Sequence, residues 1–148
     1  MANNYTEVTM TPAVHLTEKQ ESLFRCYGAS CEGSGPDDKL RYVFWDDHFN
    51  EAPDEMDLEE AIEEGHLEEG AEMPTIEHFL RDILMNPENK DVESLEVEGC
   101  WRCEKLRPGE FGGFMLLVTR NEYASVSTAA LEIRNGKIVP RKTVVHRF

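Results

Sequence analysis

Apolar and polar positions alternate along this chain with two periods, and the change from one to the other falls near Asn86-Pro87. Ile76, Phe79, Leu80, Ile83 and Leu84 occupy i, i+3, i+4, i+7 and i+8 behind Thr75, which predicts a capped amphipathic helix with one buried stripe. Beyond Pro87 the period becomes two. Leu95, Val97, Gly99, Trp101 and Cys103 alternate with Glu96, Glu98, Cys100, Arg102 and Glu104, as in a strand with one face on a core. Gly112 to Thr119, Tyr123 to Arg134 and Lys137 to Val145 continue the strand pattern. Asn135-Gly136 tolerates the positive φ values of a type I′ turn, so Leu131 to Arg134 is expected to pair with Lys137 to Pro140 as a hairpin.

The first half reads as helices. Residues up to Thr11-Pro12 suggest a loose lead-in or an edge strand. Thr17 caps a helix with Leu23, Phe24, Tyr27 and Cys31 at helical spacing, ended by Gly33-Ser34-Gly35-Pro36. Leu40, Val43 and Phe44, at i, i+3 and i+4, predict a short second helix that Pro36 opens and Asp46-Asp47 closes. His48 to Ala52 reads as a brief strand before Pro53. Asp54 to Glu72 is an acidic helix-former around Leu58, Ala61 and Ile62, interrupted by Gly65 and Gly70. Helices first and a mostly antiparallel sheet last is an α+β order. At 148 residues the chain suits one domain, 1–148, with 54–73 as an acidic helical insertion.

Two segments in this order, Leu40-Arg41-Tyr42-Val43-Phe44-Trp45-Asp46-Asp47-His48-Phe49 and Leu131 to Val139 around Asn135-Gly136-Lys137, resemble the ketosteroid isomerase and SnoaL-like superfamily, whose cone fold a nuclear transport factor shares. The resemblance implies N-terminal helices packed on a curved, cone-like antiparallel sheet, a pocket for a small apolar ligand, and a homodimer. It also implies a carboxylate base immediately before the proline of the strand-to-turn step, but Ala52 precedes Pro53 here, and Ala129-Ala130 stand where an acid donor is expected. The isomerase machinery is therefore missing.

Charge shifts attention to the surface. The formal net charge is −15, and between Asp46 and Glu98 only Arg81 and Lys90 oppose 20 acidic residues, whereas Trp101 to Phe148 holds 9 Arg or Lys against 4 Glu. Such a protein is not expected to bind nucleic acid directly. Glu51 to Glu72 places 11 acidic residues in 22 positions. On a helix rising ~1.5 Å per residue this is one negative charge every ~3 Å, close to the ~3.4 Å phosphate spacing of one DNA strand. Two readings follow: a solvated acidic face, or a surface in which Glu59, Glu60, Glu63 and Glu64 bind a basic protein, as a nucleic-acid-mimicking inhibitor would. No segment approaches the ~18 apolar residues of a membrane span, and Met1-Ala2-Asn3-Asn4-Tyr5 opens no secretory signal, so a cytoplasmic protein without membrane partners is expected.

Tyr27, His48, Asn50, Trp101, Tyr123 and His146 are the groups that would line a conical pocket. His48, Asn50 and Ala52 share a strand face by parity, as do Tyr123, Ser125, His146 and Phe148 across a strand pair. A histidine beside a tyrosine can move protons near neutral pH, yet each can equally be a satisfied core or rim residue, and no catalytic residue is assigned. Cys26-x4-Cys31 and Cys100-x2-Cys103 invite a zinc reading. Two thiols some 140° apart on one helix and two on opposite faces of one strand do not converge, and reduced structural cysteines are expected, with no metal. The Asp46-Asp47 pair reads as a helix stop rather than a cation site. No phosphate loop, nucleophile elbow or H-E-x-x-H is present, and no cofactor is expected.

Overall fold

The computed structural model describes residues 4–33, 39–45, 55–103, 112–128 and 130–148. The chain opens on a strand. β1 (Asn4–His15) is followed by α1 (Glu18–Cys26), β2 (Ser30–Gly33), β3 (Leu40–Trp45), α2 (Glu55–Glu63), α3 (Ile76–Leu84), a 3-10 turn at Pro87–Asn89, then β4 (Ser94–Cys103), β5 (Gly112–Thr119) and β6 (Glu122–Ser127). β7 (Leu131–Arg134), β8 (Lys137–Pro140) and β9 (His146–Arg147) complete the described elements. Seven strands form one antiparallel sheet in the order β2-β3-β1-β4-β5-β6-β9, and β7 with β8 forms a separate two-stranded sheet.

This order corrects the expected architecture. N-terminal helices leading into a curved, cone-like sheet are not what the chain forms: its first strand precedes every described helix, and the molecule is mostly sheet. The supposed lead-in is a central strand, because Val8, Met10 and Val14 are buried on one face while Glu7, Thr9 and Thr11 face water. Pro12 lies between Met10 and Val14, where the β1–β3 register shifts, so its missing N–H removes no ladder bond there. The supposed helix from Leu40 is β3, with Val43 and Trp45 buried beside the exposed Tyr42. A short apolar run satisfies either period, and the pairing of β3 with β1 and β2 decides it. Cys31, placed by its spacing on the first helix, belongs to β2.

Local signals that act within a few residues were legible. Thr17 and Gln20 form a capping box at α1, and Thr75 accepts from the His78 amide at α3. β5 spans the residues its pattern marks. Asn135 and Gly136 take φ values of 52° and 75°, so the two-residue turn closes β7 on β8 in the expected register.

Register places all buried sheet residues on one side. Val43 and Trp45 from β3, Val8 and Met10 from β1, Leu95 and Val97 from β4, and Leu116 and Val118 from β5 face the same way. Phe24 and Tyr27 from the end of α1, and Ile76, Phe79, Leu80, Ile83 and Leu84 from α3, close this layer. A buried Asn89 joins it to the sheet: its amide donates to the His15 and Ile83 carbonyls, and its oxygen accepts from the His15 amide. The opposite side of the sheet presents Glu7, Thr9, Glu98, Cys100, Leu117 and Val126 to water.

Candidate functional site

Burial explains what became of the expected pocket. Tyr27 is fully buried, stacked on Phe79 at 5.3 Å, and donates its hydroxyl to the Pro74 carbonyl. Burial, followed by the charges of Cys26, Glu77 and Asp82, pushes its phenol up to about 12, so it stays a protonated donor. Trp45 donates its indole N–H to the Tyr27 carbonyl at 3.0 Å and meets Phe24 edge-on. Tyr27 itself is enclosed by Phe79 and its neighbours, and a cavity of about 350 Å³ opens on the other side of Phe79, lined also by Leu23, Leu67, Met73 and Pro74. Trp101, on β4 two strands from β3, is half-buried and stacks on Phe114 at 6.4 Å. A Cβ on Gly112 would lie 2.1 Å from the Trp101 ring, so the indole lies flat over that backbone.

Tyr123 and His146 do meet. They are paired across β6 and β9, their rings stack at 5.0 Å, and Phe148 covers Tyr123 at 5.0 Å. Phe148 in turn touches His78 edge-on and lies under the Arg81 guanidinium, which fixes the C-terminal residues to α3. His48 and Asn50, with Asp46, Asp47 and Ala52, lie outside the described residues. His146 lines a cavity of about 260 Å³ with Ser125, Val126 and Lys142, apart from Tyr27, Trp101 and Tyr123. The described candidates are thus three separate packing sites.

A cavity of about 600 Å³ lies between α1, β2 and the turn after α2, and it is polar: Glu18, Glu21, Ser22, Arg25, Cys31 and His66 line it. The Cys31 thiol is pushed up to about 12 by burial and then by Glu21, against the opposing pull of Arg41 and Arg25, so it is a protonated lining group. Cys26 is buried and Cys100 exposed on the far side of the sheet. Among the described residues no three His, Cys, Asp or Glu side chains are placed to hold a metal ion.

Beside that cavity stands the acidic element. α2 buries only Ala61, which packs in the core with Leu58 partly buried beside it. Its outer side carries Glu59, Glu60, Glu63 and Glu64, all exposed. Gly65, at φ 78°, ends the helix: its N–H bonds to the Ile62 carbonyl and that of His66 to Ala61, a Schellman arrangement that a Cβ would strain. Acidic residues continue at Glu68, Glu69 and Glu72. Arg25 on α1 reaches Glu60 at 3.8 Å and Glu64 at 3.5 Å, pinning the helix by one edge, while His66 lies 3.6 Å from Glu64. No described ion pair involves Glu59 or Glu63.

Glu55 and Asp57 in the first turn of α2 suit the positive end of the helix dipole, but its C-terminal half runs against its own stability. Glu59 and Glu63, like Glu60 and Glu64, are four residues apart, where like charges repel. Its last turn carries no cation, so carboxylates crowd the negative end of the helix dipole.

Compared with known proteins, the chain matches no family model, no curated protein and no solved structure. The resemblance to SnoaL-like proteins finds no support there. No helix among the described residues is long and apolar enough to cross a membrane.

Proposed function

We propose that this protein works by binding a basic partner through the outer face of α2, with Glu59, Glu60, Glu63 and Glu64 as its centre. The observation that carries this reading is a helix seated on the core by Ala61 and held to α1 by Arg25, whose exposed face holds four carboxylates in two adjacent i, i+4 rows that repel one another. A protein with a basic groove, such as one shaped for a nucleic-acid backbone, would meet these charges at a spacing like that of phosphates. Tyr27, Trp101 and Tyr123 pack on separate aromatic partners and do not converge on one pocket, which favours this surface over an apolar pocket built from those three.

The test is capture of partners from cell extract by the unmodified protein and by a variant with Glu59, Glu60, Glu63 and Glu64 all replaced by Gln. The reading expects partners recovered by the first and lost by the second, with recovery falling as salt shortens the screening length from ~10 Å at 0.1 M to ~3 Å at 1 M. Equal recovery by both versions would send the search elsewhere on the molecule.

A further inference from the structure

Residues 130–148 carry five Arg or Lys against one Glu, a net +4, while residues 1–129 carry −19. Part of this basic end encloses a cavity. It is the one of about 260 Å³ that His146 lines, between the last residues of β6 and the chain that returns from the hairpin to β9. Tyr123, Ser125 and Ser127 share the helix side of β6, because Tyr123 pairs with Val118 and Ser125 with Leu116, both buried there. His146 pairs with Tyr123 and so faces the same way. The returning segment supplies Arg141, Lys142 and Thr143, and no described acidic residue lines the cavity.

Both ends of that returning wall are fixed. The Arg141 N–H donates to the Ala130 carbonyl at 2.7 Å at the base of the hairpin; at the other end His146 stacks on Tyr123 at 5.0 Å and the Phe148 N–H donates to the Asn121 carbonyl at 3.0 Å. Donors held in this way need little ordering when a ligand arrives. Glu132 already engages Arg141 at 3.6 Å and also bridges Arg134, so Arg141 is a shared cation. Lys142 is in no described ion pair.

The donor set selects the ligand. A guanidinium, an ammonium and an imidazole stand with three hydroxyls, those of Ser125, Ser127 and Thr143. A carboxylate offers two oxygens on one flat group, whereas a phosphoryl group offers three terminal oxygens and about two negative charges, and so can meet donors from two walls. The volume lies below the ~300–1,000 Å³ of pockets that enclose a drug-sized ligand, which suits a phosphoryl group with a small substituent. The adjoining cavity shares the two serines but holds Glu77, and that carboxylate favours the Lys142 side for an anion.

We infer that this cavity binds the phosphoryl group of a small molecule, as inorganic phosphate or a small phosphate monoester, with Lys142 as its main charge and Arg141, His146 and the three hydroxyls as donors around it. The −19 on the rest of the chain repels anions at long range, but beyond ~10 Å it is screened at 0.1 M salt, and within that distance the local cations decide. The cavity contains no residue of α2 and is independent of the function proposed above.

Titration of the full chain with inorganic phosphate and with glycerol 3-phosphate, followed by calorimetry and NMR, tests it. One-to-one binding at ~1 mM or tighter is expected for at least one of the two, with shifts centred on Ser125, Lys142, Thr143 and His146. Tighter binding of the monoester would support the site and identify the phosphoryl group as the head of a larger small molecule. Lys142→Ala should weaken binding roughly tenfold or more, whereas Lys137→Ala, which removes the same charge from the hairpin outside the cavity, should change it by less than about twofold. Both lysines are exposed, so both variants should keep the circular dichroism of the parent. Acetate should bind roughly tenfold more weakly than phosphate, or less. No saturation by either phosphate probe, equal losses in the two lysine variants, or acetate binding as well as phosphate would overturn the assignment, as would binding only to a nucleic acid or to anionic vesicles.

Discussion

α2 and α3 are both nine residues long, yet they are held by different physics. α3 buries five of its nine side chains, is capped by Thr75, and meets β4 and β5 through a continuous apolar stripe. α2 buries one alanine and carries acid at both ends. Folding free energy explains why α3 is there. It explains less of α2, whose C-terminal half carries like charges four residues apart, and the reading proposed above places the role of this helix at its surface.

The sharpest way to break this comparison is to weaken α3. Leu80 is fully buried, so Leu80→Ala leaves a cavity between α3 and the sheet and should cost ~2–5 kcal/mol. Denaturant unfolding would measure it. A loss under ~1 kcal/mol would show that α3 is not the stabilising layer. Next in size is Asn89→Ala, which strands the His15 amide and takes a donor from the His15 and Ile83 carbonyls, the latter keeping the Asn86 N–H, and should cost ~1–3 kcal/mol.

These two residues differ in how far the chain announces them. Leu80 lies in an apolar stripe that runs the length of α3, a signal complete within one element. Asn89 follows a proline turn and looks like loop punctuation; its role depends on His15, 74 positions away. The same contrast runs through the fold. The caps, the Asn135-Gly136 turn and β5 were legible because the physics that makes them is local. β1 and β3 were not, because whether Leu40 to Trp45 coils or extends is decided by its pairing with β1 and β2. Tyr27 was legible as aromatic and inward-facing, but the Phe79 ring that fills the space above it comes from 52 residues further along. The acidic side chains of α2 were the easiest part of the candidate site to read, since nothing in the tertiary structure had to arrange them.

Alkaline pH probes the buried layer from another direction. Tyr27 and Cys31 both have folded-state values raised to about 12. In the unfolded chain these groups ionise near their usual ~10 and ~8.5. Their contribution is therefore complete below the unfolded values and is lost as pH rises through the folded ones, with the unfolded state releasing its protons first. Stability should decline from about pH 9 towards 12, and Tyr27→Phe should make the upper part of that decline shallower. The same change removes the bond to Pro74 and should cost ~1 kcal/mol at neutral pH. An alkaline profile identical in Tyr27→Phe would place the sensitive group elsewhere.

The smallest effect is the most pointed, because its sign separates the two helices. Glu59 and Glu63 repel each other on α2, and Glu63 also opposes the helix dipole, so Glu59→Gln with Glu63→Gln should leave stability unchanged or raise it by ~0.2–0.5 kcal/mol at low salt. At ~1 M salt, where the screening length falls to ~3 Å, the gain should vanish. Glu60 and Glu64 differ, since Arg25 attracts both. Removing their charges gives up two partly exposed ion pairs worth ~0–1 kcal/mol and relieves a repulsion of similar size, leaving almost no net change. Thermal melts of the two double variants at both salt concentrations would make the comparison. If the Glu59, Glu63 pair instead destabilises the fold, those carboxylates are held by contacts within the chain and α2 is a structural helix like α3. If it stabilises while weakening capture of a basic partner, the same two charges oppose folding and favour binding, which is the behaviour expected of a surface shaped for its partner.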